Sequence, residues 1–470
     1  MSKKVLSVLL LLMIGTKMVL LTSCAGIIPP SGGPKDTIPP KLVMSIPRDS
    51  ATNVKSQKLV LTFDEFVELK EVSQNVIFSP NPKKTPLVEY KLKNITIKVR
   101  DSLEPNTTYS INFGNGIKDI NEGNTLKEFT YLFSTGNKIA DGTFSGKAIL
   151  AETGRIDSSL IVILHKNLND TAIYKSSPRY IAKIDGKGNF IFRNIEVGSY
   201  NAFVLPNDYT KKYDDSTKLF GFMDSVLVVS NATPENTFYI YQEEKVKEKP
   251  RISNSSNNNK NGKEEKKEDK KLKYSSNLEG ISQDLLGNLQ ITFNRKLKSF
   301  DSTKITLCDT FYNPISDAKF SLDTGNTIIK ISYPWREAQH FRLVMQKEVV
   351  YDTNGTALTK GDTLKFITRN ESDYGSLRLK FMGLDFSKHP VLQIVSNDRI
   401  TESVPLTGEV FKRKLFKPGD YTIRILLDRN QNGIWDAGNF KKKLQPEIVI
   451  DKNWKVNVKG NWDNETDVKL

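Results

Sequence analysis

The sequence has very few residues of the kinds that build catalytic, metal and redox sites. It contains two cysteines, Cys24 and Cys308, and three histidines, His165, His340 and His389, among 470 residues. The histidines are far apart, and none has the spacing of a metal-binding pair. Neither a nucleophile elbow nor a phosphate-binding glycine loop is present. The sequence therefore predicts a protein that is not an enzyme.

A sustained apolar period of 3.6 residues is also missing outside the N-terminal segment. That segment starts with Lys3 and Lys4, continues with the apolar run at residues 5–14, and ends at Leu21-Thr22-Ser23-Cys24. The run is too short and too interrupted for a membrane-spanning helix, which needs about 20 apolar residues. The arrangement resembles the signal of a bacterial lipoprotein.

The resemblance implies that residues 1–23 are a signal peptide and that the thiol of Cys24 carries the lipid. Because several acyl chains anchor a protein durably, it also implies attachment to the outer membrane, at its periplasmic face or at the cell surface. The partners expected from this are the membrane itself and other outer-membrane proteins. An ordinary secreted chain with a stray cysteine is the alternative.

The charge is strongly positive but not concentrated in a nucleic-acid-binding module. The formal net charge is +15, and 54 acidic residues are interspersed among 69 basic ones. A basic surface of this kind is most often a solvated face, although it could favour an anionic membrane or polysaccharide. No nucleic-acid partner is predicted.

With Cys24 lipidated, Cys308 has no cysteine with which to form an intramolecular disulfide. In the segment Ile305-Thr306-Leu307-Cys308, strand alternation places the thiol on the face opposite Ile305 and Leu307. No histidine lies nearby in sequence to activate it. A structural thiol is therefore expected, and it could be partly exposed.

Two stretches of the chain lack the composition of a folded domain. Residues 24–40 are rich in Pro, Gly and Ser and predict an extended tether. Residues 242–273 mix Glu and Lys with an Asn/Ser run and contain almost no apolar residues. This second stretch predicts a solvated linker, with a short charged helix at residues 264–272 as the alternative.

Between these stretches the pattern is typical of short strands. Segments such as 59–63, 95–99 and 129–133 are β-branched or aromatic, and turn residues separate them. Strands of this length and spacing indicate β-sandwiches. The predicted fold class is therefore all-β.

The two halves of this strand-rich chain repeat each other. Residues 61–64 match 291–294, and the segment around Asp119 resembles the segment around Asp352, which suggests a turn or strand-end role for both aspartates. The sequence therefore predicts four sandwiches, which we name A, B, A′ and B′ and place at residues 41–137, 141–241, 275–369 and 374–470. We expect them to lie end to end over roughly 100 Å, with a flexible joint in the middle.

Sandwich A resembles the bacterial Ig-like domain of S-layer proteins. The resemblance rests on motifs spread over residues 39–137: Pro39-Pro40, Leu61-Thr62-Phe63-Asp64-Glu65, Ile117-Lys118-Asp119, Gly123-Asn124 and Phe133-Ser134-Thr135-Gly136. Sandwich A′ is a degenerate second copy. The resemblance implies a binding or spacer module without catalysis.

Sandwich B is similar to the carboxypeptidase-regulatory-like, or transthyretin-like, sandwiches, and B′ is its repeat. The motifs are Phe144-Ser145-Gly146-Lys147, Asp185-Gly186-Lys187-Gly188-Asn189-Phe190 and Gly198-Ser199-Tyr200. The glycines suit tight turns, and the aromatic residues suit core strands. This resemblance also implies a binding or spacer module.

One segment of B′ has the spacing of a calcium loop. Oxygen-bearing side chains stand at positions 1, 3, 5 and 9, with a glycine at position 6 for the sharp turn: Asp428, Asn430, Asn432 and Asp436. Position 12 is Asn439, where such loops usually have a bidentate Glu, so the affinity would be weak. The alternative is a plain hairpin turn at Asn432-Gly433. Ca²⁺ is the only cofactor that the sequence suggests.

Three tryptophans could form a patch for carbohydrate or protein, Trp435, Trp454 and Trp462. Core packing is the better interpretation for Trp454. Taken together, the sequence predicts an outer-membrane lipoprotein that acts as a protein-binding accessory or scaffold subunit of an envelope assembly or export machine. A surface adhesin or glycan-binding lipoprotein is the alternative.

Overall fold

Strands form where buried apolar residues alternate with more exposed ones. In the segment Lys58–Phe63, Leu59, Leu61 and Phe63 are buried, whereas the residues between them keep contact with solvent. This two-residue period is that of a strand with one face in a core. The computed structural model describes residues 35–244 and 271–470, and within them the chain is all-β.

Sandwich A contains ten strands and one helical turn, α1 (Val72–Asn75). The strands are β1 (Leu42–Ile46), β2 (Lys58–Phe63), β3 (Val67–Leu69), β4 (Ile77–Ser79), β5 (Leu87–Lys91), β6 (Asn94–Lys98), β7 (Thr108–Gly114), β8 (Ile117–Asp119), β9 (Thr125–Leu126) and β10 (Phe129–Ser134). They form sheets with the orders β1-β2-β6-β5, β10-β7-β4 and β3-β8-β9. Leu61, Ile97, Phe113 and Phe133 lie in the core of this sandwich.

Sandwich B contains eight strands and a second helical turn, α2 (Ala172–Lys175). The strands are β11 (Gly142–Leu150), β12 (Leu160–His165), β13 (Tyr180–Lys183), β14 (Asn189–Ile195), β15 (Gly198–Pro206), β16 (Leu219–Phe222), β17 (Leu227–Val229) and β18 (Asn236–Gln242). The strand order is β13-β12-β15-β16-β18-β11-β14, and β17 also pairs with β15. The first and last strands, β11 and β18, are parallel.

Sandwich A′ repeats the topology of A. Its strands are β19 (Tyr274–Ser276), β20 (Ser282–Gln283), β21 (Leu289–Phe293), β22 (Leu297–Phe300), β23 (Ile305–Cys308), β24 (Lys319–Leu322), β25 (Ile328–Ser332), β26 (His340–Met345), β27 (Val350–Asp352) and β28 (Asp362–Thr368). The order β19-β21-β25-β24 corresponds to β1-β2-β6-β5, and β28-β26-β23 corresponds to β10-β7-β4. Strand β20, which runs parallel to β28, stands where A has a single parallel bridge between Ala51 and Phe133.

Sandwich B′ repeats most of the pairing of B. Its strands are β29 (Gly375–Met382), β30 (Pro390–Ser396), β31 (Arg399–Pro405), β32 (Val410–Phe416), β33 (Gly419–Leu427), β34 (Ile448–Val458) and β35 (Asp463–Lys469). The sheets have the orders β31-β30-β33-β34 and β32-β29-β35. Here too the first and last strands, β29 and β35, are parallel. Three 3₁₀ turns complete the second half, Ser302–Lys304, Glu371–Asp373 and Phe386–Lys388.

Backbone hydrogen bonds and packed side chains join neighbouring sandwiches. Asn81 N in A donates to Arg179 O in B (2.7 Å), and Val449 N in B′ donates to Ala151 O in B (2.8 Å). The hydroxyl of Tyr374 at the start of B′ donates to Asp284 Oδ1 in A′ (2.6 Å). The expected end-to-end row with a free joint in the middle is therefore wrong, because B and B′ pack against each other.

The predicted linker is shorter than residues 242–273. Gln242 is the last residue of β18, and Leu272 is buried in the core of A′. Both ends of the predicted stretch therefore belong to folded sandwiches. Its central part, residues 245–270, lies outside the described residues, as does the predicted tether up to residue 34.

Cys308 is buried, and the partial exposure that its position on the strand allowed is not observed. Its thiol is buried together with Ile305 and Leu307, although alternation places it on the other face of β23. The chain after β23 folds back over the strand, where Cys308 bridges to Pro314 and Ile315 N donates to Leu307 O (2.9 Å). Burial raises the pKa of the Cys308 thiol, and Asp309 adds to this rise. The interpretation as a structural thiol agrees with this environment.

Candidate functional site

The segment with calcium-loop spacing lies between two adjacent strands of B′. It leaves β33 at Leu427 and returns to β34 at Ile448, and we name residues 428–447 the Asp428 loop. Asp428 is buried, and its carboxylate accepts hydrogen bonds from Asn432 N (3.3 Å) and Gly433 N (2.7 Å). Gly433 has a φ of 77°, a left-handed conformation that glycine adopts without strain. Asp428 therefore holds the turn that the sequence predicts.

The four predicted ligand residues meet in this loop. Asn430 Nδ2 and Asn432 Nδ2 both donate to Asp436 Oδ2, at 2.7 and 2.9 Å. Each amide thus presents its nitrogen to the carboxylate. A bound Ca²⁺ would require both amides to present oxygen instead, which a rotation of each amide group by about 180° achieves.

Sequence reasoning missed one residue of this site, Glu447. It is 3% exposed, and its Oε1 accepts from Arg429 N (2.8 Å) while its Oε2 accepts from Asp436 N (3.1 Å). The carboxylate of Glu447 therefore joins the two ends of the ligand segment. The twelfth-position residue, Asn439, instead pairs through its backbone with Leu444. Because the loop folds back before β34, the distance in sequence gave no signal for Glu447.

In the Asp428 loop, amide and backbone N–H groups of the loop itself donate hydrogen bonds to its carboxylates. Residues 35–244 and 271–470 contain no group of three or more His, Cys, Asp or Glu side chains placed to hold a metal ion. Ca²⁺ prefers six to eight oxygen ligands, and two carboxylates with two amides make a weak set. Ca²⁺ binding by Asp428, Asn430, Asn432 and Asp436 stays a prediction.

The outer half of the Asp428 loop reaches into sandwich B. Phe440 is 3% exposed, and its ring centroid lies 5.6, 5.2 and 5.1 Å from those of Phe203, Phe220 and Phe222. A Cβ on Gly438 would come within 2.7 Å of the Tyr241 ring, so only glycine fits there without rearrangement. This aromatic cluster, which we name the B–B′ cluster, buries apolar surface from both sandwiches.

Polar contacts surround the B–B′ cluster. Phe440 N donates to Glu243 Oε1 (2.8 Å), and Gln445 Nε2 donates to Asp224 Oδ1 (2.7 Å). Lys443 Nζ lies 2.7 Å from Asp170 Oδ1. The Asp428 loop thus combines the predicted ligand residues with an aromatic contact between the two halves of the chain.

The three tryptophans have different environments. Trp435 Nε1 donates to Glu447 O (2.7 Å), which holds its ring in the Asp428 loop. Trp454 is half-buried and packs on the core of B′, as expected. Trp462 is 64% exposed, and Lys459 Nζ lies 5.3 Å from the centroid of its ring. Trp462 is therefore the tryptophan of the three most available to a partner.

The expected turn role of Asp119 and Asp352 is confirmed. Each carboxylate is buried at the end of a strand and accepts backbone N–H groups of the following turn. Burial alone would raise the pKa of Asp119, but these N–H donors lower it below its usual value. The pKa of Asp352 is lowered likewise, with Arg295 Nη1 at 3.2 Å as an additional partner.

The remaining features noted in the sequence are the N-terminal signal with Cys24 and the three histidines. Cys24 and the signal peptide lie outside the described residues. None of the helices in the described ranges is long and apolar enough to cross a membrane. His165 is buried in B, whereas His340 and His389 are exposed in A′ and B′.

Comparison with known families supports the resemblance of sandwich A. Residues 36–135 match the family model of the bacterial Ig-like domain. The match covers one of the four sandwiches. It therefore supports the Ig-like class of sandwich A and does not assign the whole chain to a family. None of the curated proteins matches the chain.

Several solved structures are similar in part. The N-terminal part of the bacterial S-layer protein SbsC is 17% identical over 43% of this chain and 44% of its own, with a TM-score of 0.16. BcpA, the major pilin subunit of Bacillus cereus, is 10% identical over 70% of this chain and 98% of its own, with a TM-score of 0.17. The Bacillus anthracis TIE protein is 10% identical over 94% of this chain and 75% of its own, again with a TM-score of 0.17. The chain thus spans less than half of the S-layer fragment, and scores this low support no argument about function.

Proposed function

We propose that the protein is a non-catalytic scaffold or accessory subunit of an envelope assembly or export machine, anchored in the outer membrane through Cys24. The B–B′ contact is the observation that carries this proposal. Because Phe440 fixes B′ on B, the two halves are held at a set distance rather than swinging about the linker. A scaffold that positions partners needs this property, and a flexible tether does not.

The junctions inside each half support the same proposal. Arg179 in B pairs with Glu104 in A at 2.7 Å, and Lys417 in B′ pairs with Glu279 in A′ at 3.0 Å. Individually such partly exposed ion pairs contribute little stability. Together with the backbone bonds between sandwiches, they fix the orientation of A on B and of A′ on B′. The described body then presents two Ig-like sandwiches, A and A′, from a shared B–B′ centre.

The membrane anchor has a direct test. Cys24→Ala should yield an uncleaved or soluble exported protein that no longer incorporates a clickable fatty acid. Cys308→Ala is the matched control, and it should label like the unchanged protein. Continued labelling and membrane retention of Cys24→Ala would rule out the lipid anchor.

The scaffold role is tested by purifying the tagged native protein from membranes and identifying what comes with it. We expect a defined set of outer-membrane assembly or export proteins, and we expect Phe440→Asp to lose part of that set while remaining in the membrane. The exposed variant Phe311→Asp serves as the control. Recovery of polysaccharide with no protein partner would instead favour a glycan-binding surface lipoprotein.

A further inference from the structure

A cleft opens where sandwiches A and B meet. Its volume is about 560 Å³, within the range of small-molecule sites, which often occur between domains. The apolar part of its lining comes from A and includes Phe78, Tyr109, Ile111 and Phe133. The opposite wall comes from B, at the end of β12 and in the segment that precedes β13.

The walls of the cleft are fixed relative to each other. Asn81 in A donates from its backbone N to Arg179 O and from its side-chain Nδ2 to Pro178 O (3.2 Å). The guanidinium of Arg179 donates to Glu104 Oε1 (2.8 Å). The Tyr109 hydroxyl accepts from Glu104 N (2.7 Å). The cleft is therefore preformed, so a ligand would not have to order its walls.

Positive charge dominates the lining. Five cationic side chains line the cleft, against the two carboxylates of Asp101 and Glu104: Lys83, Lys84, Arg100, Lys166 and Arg179. Arg179 pairs with Glu104 and Lys166 with Glu196, whereas the other three form no ion pair within residues 35–244 and 271–470. Asp101 Oδ2 already accepts two backbone N–H groups, at 2.7 and 2.9 Å. The unmatched charge therefore favours an anion.

Two buried polar atoms in the same lining lack partners. His165 is 1% exposed, and its Nε2 has no hydrogen-bond partner in the described part of the chain. The same holds for Nε of Arg179. Burial lowers the pKa of His165 to about 4, so its imidazole is neutral near pH 7. Buried polar atoms are rarely left unpaired, so these two mark an unsatisfied polar layer just below the surface of the cleft.

We propose that the A–B cleft binds a small organic anion, a carboxylate or a phosphate ester with an apolar portion. The anionic group would face Lys83 and Lys84, and the apolar portion would contact the aromatic residues of A. His165 belongs to the B wall, and its buried, neutral imidazole serves as a probe of the environment directly behind the bound anion. The site is separate from the Asp428 loop and does not depend on the proposed scaffold role.

The three histidines provide a test on the full chain. We would label the protein with ¹³C-histidine and titrate phenyl phosphate or phenylacetate at constant ionic strength, with phenylacetamide as the neutral control. Exposed His340→Gln and His389→Gln variants assign the His165 resonance by elimination. We expect saturable movement of the His165 resonance with at least one anion and no comparable movement of the other two. Phosphate alone, carboxylate alone, or both would identify the anion class.

Matched lysine variants show whether the cleft itself binds. Lys83→Gln with Lys84→Gln should weaken the apparent affinity roughly fivefold or more, since the two lost charge contacts together contribute about 1 kcal/mol, which corresponds to this change in affinity. Lys441→Gln with Lys442→Gln makes the same charge change at an exposed place in B′ and should bind like the unchanged protein. A His165 resonance that stays fixed at tens of millimolar anion, equal movement with phenylacetamide, or equal weakening by both variants would overturn the proposal.

Discussion

The loop after β15 in B and the Asp428 loop in B′ occupy the same place in two copies of one sandwich but balance their charge differently. In B, Lys218 Nζ lies between Asp208 Oδ2 and Asp214 Oδ1, at 2.5 Å from each. It also donates to Thr210 Oγ1 (3.3 Å) and to Lys212 O (3.2 Å). The chain thus places its own cation at the centre of this loop.

In B′ the carboxylates of Asp428, Asp436 and Glu447 have no Lys or Arg partner within ion-pair distance among the described residues. They accept backbone and amide N–H groups instead. The comparison shows that the carboxylates of an acidic loop can be satisfied either by one internal ammonium or by several neutral donors. Only the second arrangement leaves the negative charge uncompensated, so it is the one to which an external cation could add.

The two loops differ most in what they contact. The Asp428 loop inserts Phe440 into the aromatic cluster of B, in the other half of the chain. Phe440→Ala removes the ring at the centre of the B–B′ cluster. Loss of a buried Phe costs about 3–5 kcal/mol, which corresponds to a roughly 100-fold or greater loss of association between the halves. We would cleave the linker with protease and measure whether the halves separate on gel filtration.

The halves of the unchanged protein should stay together after cleavage, and those of Phe440→Ala should come apart. Phe311→Ala removes a ring that is 83% exposed, so it should behave like the unchanged protein. Halves of the unchanged protein that separate at once would show that the cluster does not hold them.

Removal of the internal cation tests the loop of B. Lys218→Met should leave Asp208 and Asp214 facing each other without a counter-charge, and the local stability should fall by about 1–2 kcal/mol after allowance for partial exposure. Hydrogen exchange of residues 207–218 should speed up roughly tenfold. Lys187→Met, at an exposed turn of the same sandwich, should leave this exchange unchanged. Unchanged exchange in Lys218→Met would mean that the ammonium does not stabilise the loop.

Addition of a cation tests the loop of B′. If Ca²⁺ binds with a Kd of ~10⁻⁴–10⁻³ M, a tenfold excess over Kd should stabilise B′ by about 1.4 kcal/mol and raise its melting temperature. Asp436→Asn should abolish the rise, whereas Asp215→Asn, in the loop after β15 of B, should not. Identical melting with Ca²⁺ and with chelator, and no heat on titration, would leave only the hairpin-turn interpretation.

A and A′ show the same contrast between a carboxylate that accepts neutral donors and one that also has a cationic partner. Asp119 in A accepts backbone N–H donors, whereas Asp352 in A′ accepts both backbone N–H donors and the guanidinium of Arg295. Because both carboxyl groups have a lower pKa in the folded protein than the ordinary 3.8, the unfolded chain binds more protons in acid. The stability that they contribute is therefore present above pH 3.8 and lost as the pH falls through their folded pKa values.

Melting curves across this acid range should show the difference. Asp352→Asn should destabilise more than Asp119→Asn at neutral pH, because it also removes the charged contact of Asp352 with Arg295. Both variants should flatten the fall in acid, and Asp467→Asn, at an exposed position of β35, should change neither. Equal costs for the two variants would show that the cation at Asp352 adds nothing.

Local features were predictable from the sequence, and contacts between distant segments were not. The alternation around Leu61 and the turn at Asp119 depend on neighbours in sequence, so the pattern shows them directly. Glu447 and Phe440 make contacts with residues distant in sequence, and no spacing rule connects Glu447 to Asp428 or Phe440 to Phe220. The burial of Cys308 was not predictable for a similar reason, because the segment that covers its thiol comes after its own strand.

The parallel pairing of first and last strands determines how a load would pass through the chain. In B′, β29 and β35 run side by side from Ser376↔Asp463 to Met382↔Lys469, so the chain enters the sandwich at one end and leaves it at the other. A pull on both ends slides the two strands along each other and strains all their hydrogen bonds at once, rather than opening them one by one. The β11–β18 pair gives B the same geometry. B and B′ are thus both loaded in shear, the geometry that resists tension best for a given number of hydrogen bonds.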